Sequence, residues 1–170
     1  MAEIINKVKQ SRLLTIDLEK LLPHELKISE LDLSQFLFQG LILRESEYRN
    51  YLDEFEWDQF QNQNLAIYCS TDAIIPKWAY MLVTQHATGI ADEVFYGKRE
   101  NVISELFERK FSEIQWEDYR DKFVLLKGCS KVELPASVYL NATKKLLPVV
   151  AKLMYGEACS NVPVFRKKSS

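Results

Sequence analysis

The sequence predicts an α/β fold: a mostly parallel sheet flanked by helices, built from three strand–helix units with additional N-terminal elements, in a single domain over residues 1–170. Three observations carry this expectation. From residue 64 onward, short apolar runs alternate three times with amphipathic stretches. One segment also recurs 59 residues later, first as EFEWDQFQNQNLAIYCSTDAIIPKWAYMLVT and then as EIQWEDYRDKFVLLKGCSKVELPASVYLNAT, so that Trp57, Pro76, Tyr80 and Thr84 map onto Trp116, Pro135, Tyr139 and Thr143. Finally, 170 residues that are 47% hydrophobic and 27% charged can bury one sizeable core.

In chain order, residues 11–22 alternate around Leu14, Ile16 and Leu18 and predict a strand that Pro23 ends. Residues 28–43 fit either a buried helix or two short strands interrupted at Gly40. Residues 46–55 read as a helix with Ser46 as N-cap and Tyr48, Tyr51, Leu52 and Phe55 on one face. The continuous apolar run from Leu65 to Cys69 suits a strand covered on both sides. Pro76 then opens a helix to about Thr88, since a first-turn proline loses no helical hydrogen bond. Glu93 to Tyr96 is a strand closed by Gly97, Glu100 to Glu113 a helix, and Phe123 to Leu126 a strand. The last helix is expected from Pro135 to about Tyr155, with a kink or break at Pro148 and Gly156 as its left-handed end.

Composition narrows the function classes. A net charge of −2 gives no general electrostatic grip on nucleic acid, and the Phe165-Arg166-Lys167-Lys168 tail reads as a frayed, solvated end. No apolar run approaches the roughly 20 residues that span a bilayer. Charges throughout residues 1–20 leave no room for a secretory signal, so a cytoplasmic protein with reduced thiols is expected.

The chemistry-bearing residues are three Cys-Ser pairs, Cys69-Ser70, Cys129-Ser130 and Cys159-Ser160, each followed within a few residues by proline. Cys69 and Cys129 fall between a strand and a helix, where open α/β sheets hold ligands. If their strands are neighbours, about 4.8 Å apart, two thiols and two helix N-termini converge on a thiolate-stabilising place. The expected ligand site is therefore Cys69, Ser70, Asp72, Cys129 and Ser130, and the expected metal ligands are Cys69, Cys129 and Cys159, holding zinc or an iron–sulfur cluster. Cys159 joins only if the chain reverses near Pro148, because a straight helix to Tyr155 carries it about 30 Å away. Asp72, Glu133 and Glu157 are the nearby carboxylates, although Asp72 equally suits a helix cap or a turn.

Other chemistries fail on spacing. The position six residues after Cys69 is Ile75, and after Cys129 it is Pro135, so neither begins a Cys-x5-Arg phosphate loop. There is no CxxC, and His86 falls about 15 Å along its helix from Pro76.

The stretches MAEIINKV, FLFQGLILRE, CSTDAIIPKWAYMLV, LLKGCS and LMYGEACSNVPVF together resemble family 2480 of the bacterial domains of unknown function, over nearly the full length. The resemblance implies that the three Cys-Ser contexts are family features and that such genes sit near iron–sulfur assembly genes. It carries no assigned activity. Three functions stay open: a thiolate site for a metal, a sulfur species or a small anion, accessory to iron–sulfur metabolism; a non-catalytic structural or interaction module, such as a homodimer, with inert buried cysteines; and an enzyme using Asp72 or Glu133 as acid–base group.

Overall fold

Apolar strands alternate with amphipathic helices as the periodicity requires, but they form two sheets. A computed structural model describes residues 13–23, 25–128 and 133–168. The strands are β1 (Leu13–Asp17), β2 (Ile28–Asp32), β3 (Asn64–Tyr68), β4 (Glu93–Tyr96), β5 (Phe123–Lys127), β6 (Lys152–Glu157) and β7 (Ser160–Arg166). The helices are α1 (Glu45–Glu54), α2 (Lys77–Ala87), α3 (Arg99–Glu113) and α4 (Ala136–Leu146), with 3₁₀ turns at Leu18–Leu21, Leu33–Phe36, Trp57–Phe60 and Trp116–Tyr119. The chain divides into two compact units, the first made of Met1–His24 with Leu106–Ser170 and the second of Glu25–Glu105.

The first unit holds the sheet β1-β5-β6-β7, parallel except for the β6–β7 hairpin. The second holds the all-parallel sheet β2-β3-β4. In each, the central strand is buried along its middle, Leu65–Ala66–Ile67 in β3 and Val124–Leu125–Leu126 in β5, which is why both sequences are unbroken apolar runs.

The internal repeat reaches well beyond the quoted segment. Each unit runs strand, 3₁₀ turn, helix, 3₁₀ turn, strand, helix, strand, the division itself falling within α3. Asp17 and Asp32 each cap a 3₁₀ turn, accepting from the N–H of Glu19 and Ser34. Trp57 Nε1 donates to the Leu52 carbonyl at 2.8 Å, and Trp116 Nε1 to that of Phe111 at 2.9 Å. Gly97 and Gly156 share a positive φ, 108° and 122°, that only glycine adopts without strain.

Several expectations need correction. Residues 28–43 are neither a helix nor two strands: β2 gives way to the Leu33–Phe36 turn, then to a tight loop bridged between Phe38 and Ile42. Helix α1 starts one residue early, with Arg44 at the N-cap position, so Ser46 lies inside the first turn. The final helix stops at Leu146, because Pro148 lacks an N–H and its ring excludes the carbonyl four residues back. Lys152–Glu157 is a strand, and Gly156 takes its positive φ there rather than at a helix end. The C-terminal tail is not frayed through Lys167. Phe165 and Arg166 pair in β7, and Lys167 donates from its backbone to Ala151 at 2.9 Å and from Nζ to Asp121 at 3.2 Å.

Candidate functional site

Parallel strands end together, so each unit gathers its loop residues at one sheet edge. In the second unit, Asp32 ends β2 beside the end of β3. Its carboxylate accepts from the Ser34 N–H at 2.9 Å and the Ser70 N–H at 3.0 Å, while the Ser70 hydroxyl donates to that of Ser34 at 3.2 Å. Burial alone pushes Asp32 up, but the hydrogen bonds from Ser70 and Ser34 outweigh it and hold the carboxyl below the usual aspartate range. The half-buried Cys69 thiol lies 3.3 Å from Thr71 Oγ1. Burial first, then Tyr96 and Cys69, push the Tyr80 phenol up.

Asp72 lines a cleft of about 610 Å³ between the Gly40–Leu43 and Thr71–Pro76 loops. It does not cap α2, whose N-cap is Pro76 with no side-chain cap. His86 stacks on the Trp57 ring at 5.4 Å and sits 3.6 Å from Asp53, a packing role.

Because Asp32 joins two strand ends, Asp32→Ala should cost about 1 kcal/mol, as for a lost cap. The sign with pH follows from the lowered pKa: the contribution is present above the ordinary value of 3.8 and is lost as pH falls through the lower folded one. Urea unfolding of both proteins from pH 7 into acid checks it, the gap closing only at the acid end.

In the first unit, β5 and β6 end side by side, with Lys127 Nζ 3.2 Å from Glu157 Oε1. The Glu157 carboxylate holds Lys127 above the usual lysine range, with Asp17 and Glu19 adding to it against slight desolvation. The Tyr139 phenol fills the space beside Gly128, where a Cβ would stand 2.8 Å from its oxygen. Cys159 is exposed, in the turn from β6 to β7. The reversal near Pro148 therefore does bring Cys159 to the edge where β5 ends. Cys129 and Ser130 lie outside the described residues; Glu133, just beyond them, is exposed.

Compared with protein families, residues 2–167 match the one described as protein of unknown function (DUF2480). The chain belongs to the DUF2480 family. No curated protein matches it, and no solved structure does.

β3 and β5 are the inner strands of separate sheets, not neighbours in one, so the expected adjacency of the strands leading to Cys69 and Cys129 is not found. The strand ends also fix the repeat register. Tyr68 matches Lys127, so in the repeat Cys69 corresponds to Gly128 and Ser70 to Cys129, the two cysteines being one position out of step in sequence. Among the described residues, no three His, Cys, Asp or Glu side chains gather as metal ligands, and no helix is long and apolar enough to cross a membrane. Lys127 and Lys20, which share a cleft in the first unit of the DUF2480 chain with Asp17 and Glu157, escaped sequence reasoning, because lone charges at strand ends look like solvated surface.

Proposed function

We propose that the protein binds a small thiophilic ligand, a soft metal ion or a sulfur species, at the carboxyl edge of the β1-β5-β6-β7 sheet, with Cys129 and Cys159 as its thiols. One observation supports this reading: Lys127 and Glu157 lie 3.2 Å apart at the ends of adjacent parallel strands. Cys129 follows Lys127 by two positions and Cys159 follows Glu157 by two, so the chain enters both cysteines from adjoining points. Parallel sheets collect ligands at this edge, and the exposure of Cys159 leaves it open to one. Ser130 belongs with Cys129, whereas Cys69, Ser70 and Asp72 form a second, separate edge.

A structural zinc site asks for four ligands, whereas this reading names two thiols. The link to iron–sulfur metabolism rests on the family resemblance alone. A reducing cytoplasm is the compartment two free thiols require.

A trivalent arsenical tests the pair, since phenylarsine oxide bridges two close thiols and releases water. The reduced protein should retain one phenylarsenic group by mass, and Cys129→Ser or Cys159→Ser should each abolish it while Cys69→Ser does not. Retention of the group by Cys159→Ser would sink the proposal. A second reading, a non-catalytic interaction module, draws on exposed apolar side chains at matching places in the repeat, Met81 with Leu140 and Tyr96 with Tyr155. Under it the arsenical ignores Cys159.

A further inference from the structure

The two units differ at one place where the repeat leads one to expect likeness. In the second unit, Phe36, Phe55 and Phe60 fill the space beside the β2–β3 edge, with ring centroids 5.8 Å apart for Phe36–Phe55 and 6.0 Å for the stacked Phe55–Phe60. Their counterparts in the first unit are Leu21, Ile114 and Tyr119. Leu125, standing where the second unit has Ala66, takes back part of the lost volume. A cleft of about 470 Å³ remains, within the range of small-molecule sites.

Its rim also differs. Lys127 and Glu157 occupy the positions of Tyr68 and Lys98, where the second unit has an ammonium 5.1 Å from a tyrosine ring. Lys20 replaces Gln35, and its ammonium lies 3.8 Å from Asp17. The cleft thus presents two carboxylates and two ammonium groups above an apolar floor.

We infer that this cleft binds a small zwitterion with an aliphatic portion, of the α-amino acid class. The charge balance carries the choice. A bare anion drawn to Lys127 would face Glu157 at close range, and a bare cation drawn to Glu157 would face Lys127. A ligand carrying both charges pairs with both groups at once, exchanging the Lys127–Glu157 contact for two charge-assisted ones. Ile114, Leu21 and Leu125 take the aliphatic part. The inference goes beyond the thiol reading and does not rest on it.

Titration of the full-length protein with L-leucine, followed by calorimetry and amide shifts, tests it. Leucine should bind, and 3-methylbutylamine and 4-methylpentanoate, each lacking one charge, should bind about tenfold more weakly or worse. The variant Leu21→Phe/Ile114→Phe/Tyr119→Phe copies residues that the sister unit already accommodates and should abolish binding with its circular dichroism unchanged. Should that variant fail to fold, Glu157→Gln on the surface serves instead: it should weaken leucine about tenfold and tighten 4-methylpentanoate, whose carboxylate no longer faces another beside Lys127. Cys159→Ser should still bind leucine, which separates this result from the fate of the thiol pair. Leucine binding that survives the filled cleft or is undiminished by Glu157→Gln, equal binding of either half-analogue, or no leucine binding at millimolar concentration would overturn it.

Discussion

Tyr48→Ala should destabilise the protein by about 3–5 kcal/mol, a large part of the 5–15 kcal/mol that holds a typical domain together. Tyr48 is 0% exposed, among the largest fully buried side chains. Its ring meets Phe36 at 5.5 Å and Trp78 at 6.0 Å, both edge to face, so truncation removes aromatic contacts and leaves a cavity. Tyr48→Phe isolates the polar part. The hydroxyl donates to the Ala79 carbonyl at 3.0 Å, and that carbonyl lies inside α2, where the Val83 N–H also reaches it. The cost should therefore stay near 1 kcal/mol. Burial first, and Tyr80 second, push the Tyr48 phenol well above its ordinary value of 10.0. The sign is that of a raised group: stability is whole below about pH 10 and falls as pH rises, because the unfolded chain ionises first. Urea unfolding should show a steeper alkaline decline for the wild type than for Tyr48→Phe. Equal costs for Ala and Phe would refute the packing argument.

Trp57→Ala and Trp116→Ala should differ although the two tryptophans are repeat partners with the same indole hydrogen bond. Trp57 is 8% exposed and ringed by Phe55 at 5.0 Å, His86 at 5.4 Å and Phe60 at 6.1 Å. Trp116 is half-buried, with Phe111 at 5.6 Å and Tyr119 at 6.2 Å. The first truncation should cost about 3–5 kcal/mol and the second about 1–3 kcal/mol. Indistinguishable urea midpoints for the two variants would show that the burial difference carries no energy.

Much of this fold was legible because its physics is local. The runs at Leu65–Ile67 and Val124–Leu126 announce covered strands, and Pro76 and Pro135 mark helix starts that the structure places one residue later. Illegible from spacing was which strands pair, since parallel neighbours are chosen by distant segments: β1 takes β5 as partner, and β2 takes β3. Lys152–Glu157 was misread because Leu153 and Met154 suit a buried helix as well as a buried strand, and Pro148 admitted a kink as readily as an end. At the candidate site, Asp72 and Cys159 were found through their neighbours in the chain. Lys127 was not, yet reading the repeat at its single offset through position 157 would have matched Lys127–Glu157 with Tyr68–Lys98 and exposed the difference.

The second unit interrupts the first, and this has a consequence for synthesis. β1 leaves the ribosome roughly a hundred residues before β5, its partner, exists, a wait of several seconds at about 5–20 residues per second. Glu25–Glu105 emerges whole in that interval and can complete its own sheet first. The nascent N-terminal strand must meanwhile stay clear of β2, which carries the same Asp-Leu signature at its end. Accuracy of strand choice during translation is thus a burden this topology places on the chain, and the exposed charge of Glu30 in β2, against Thr15 at the matching place in β1, is a feature that tells the two apart.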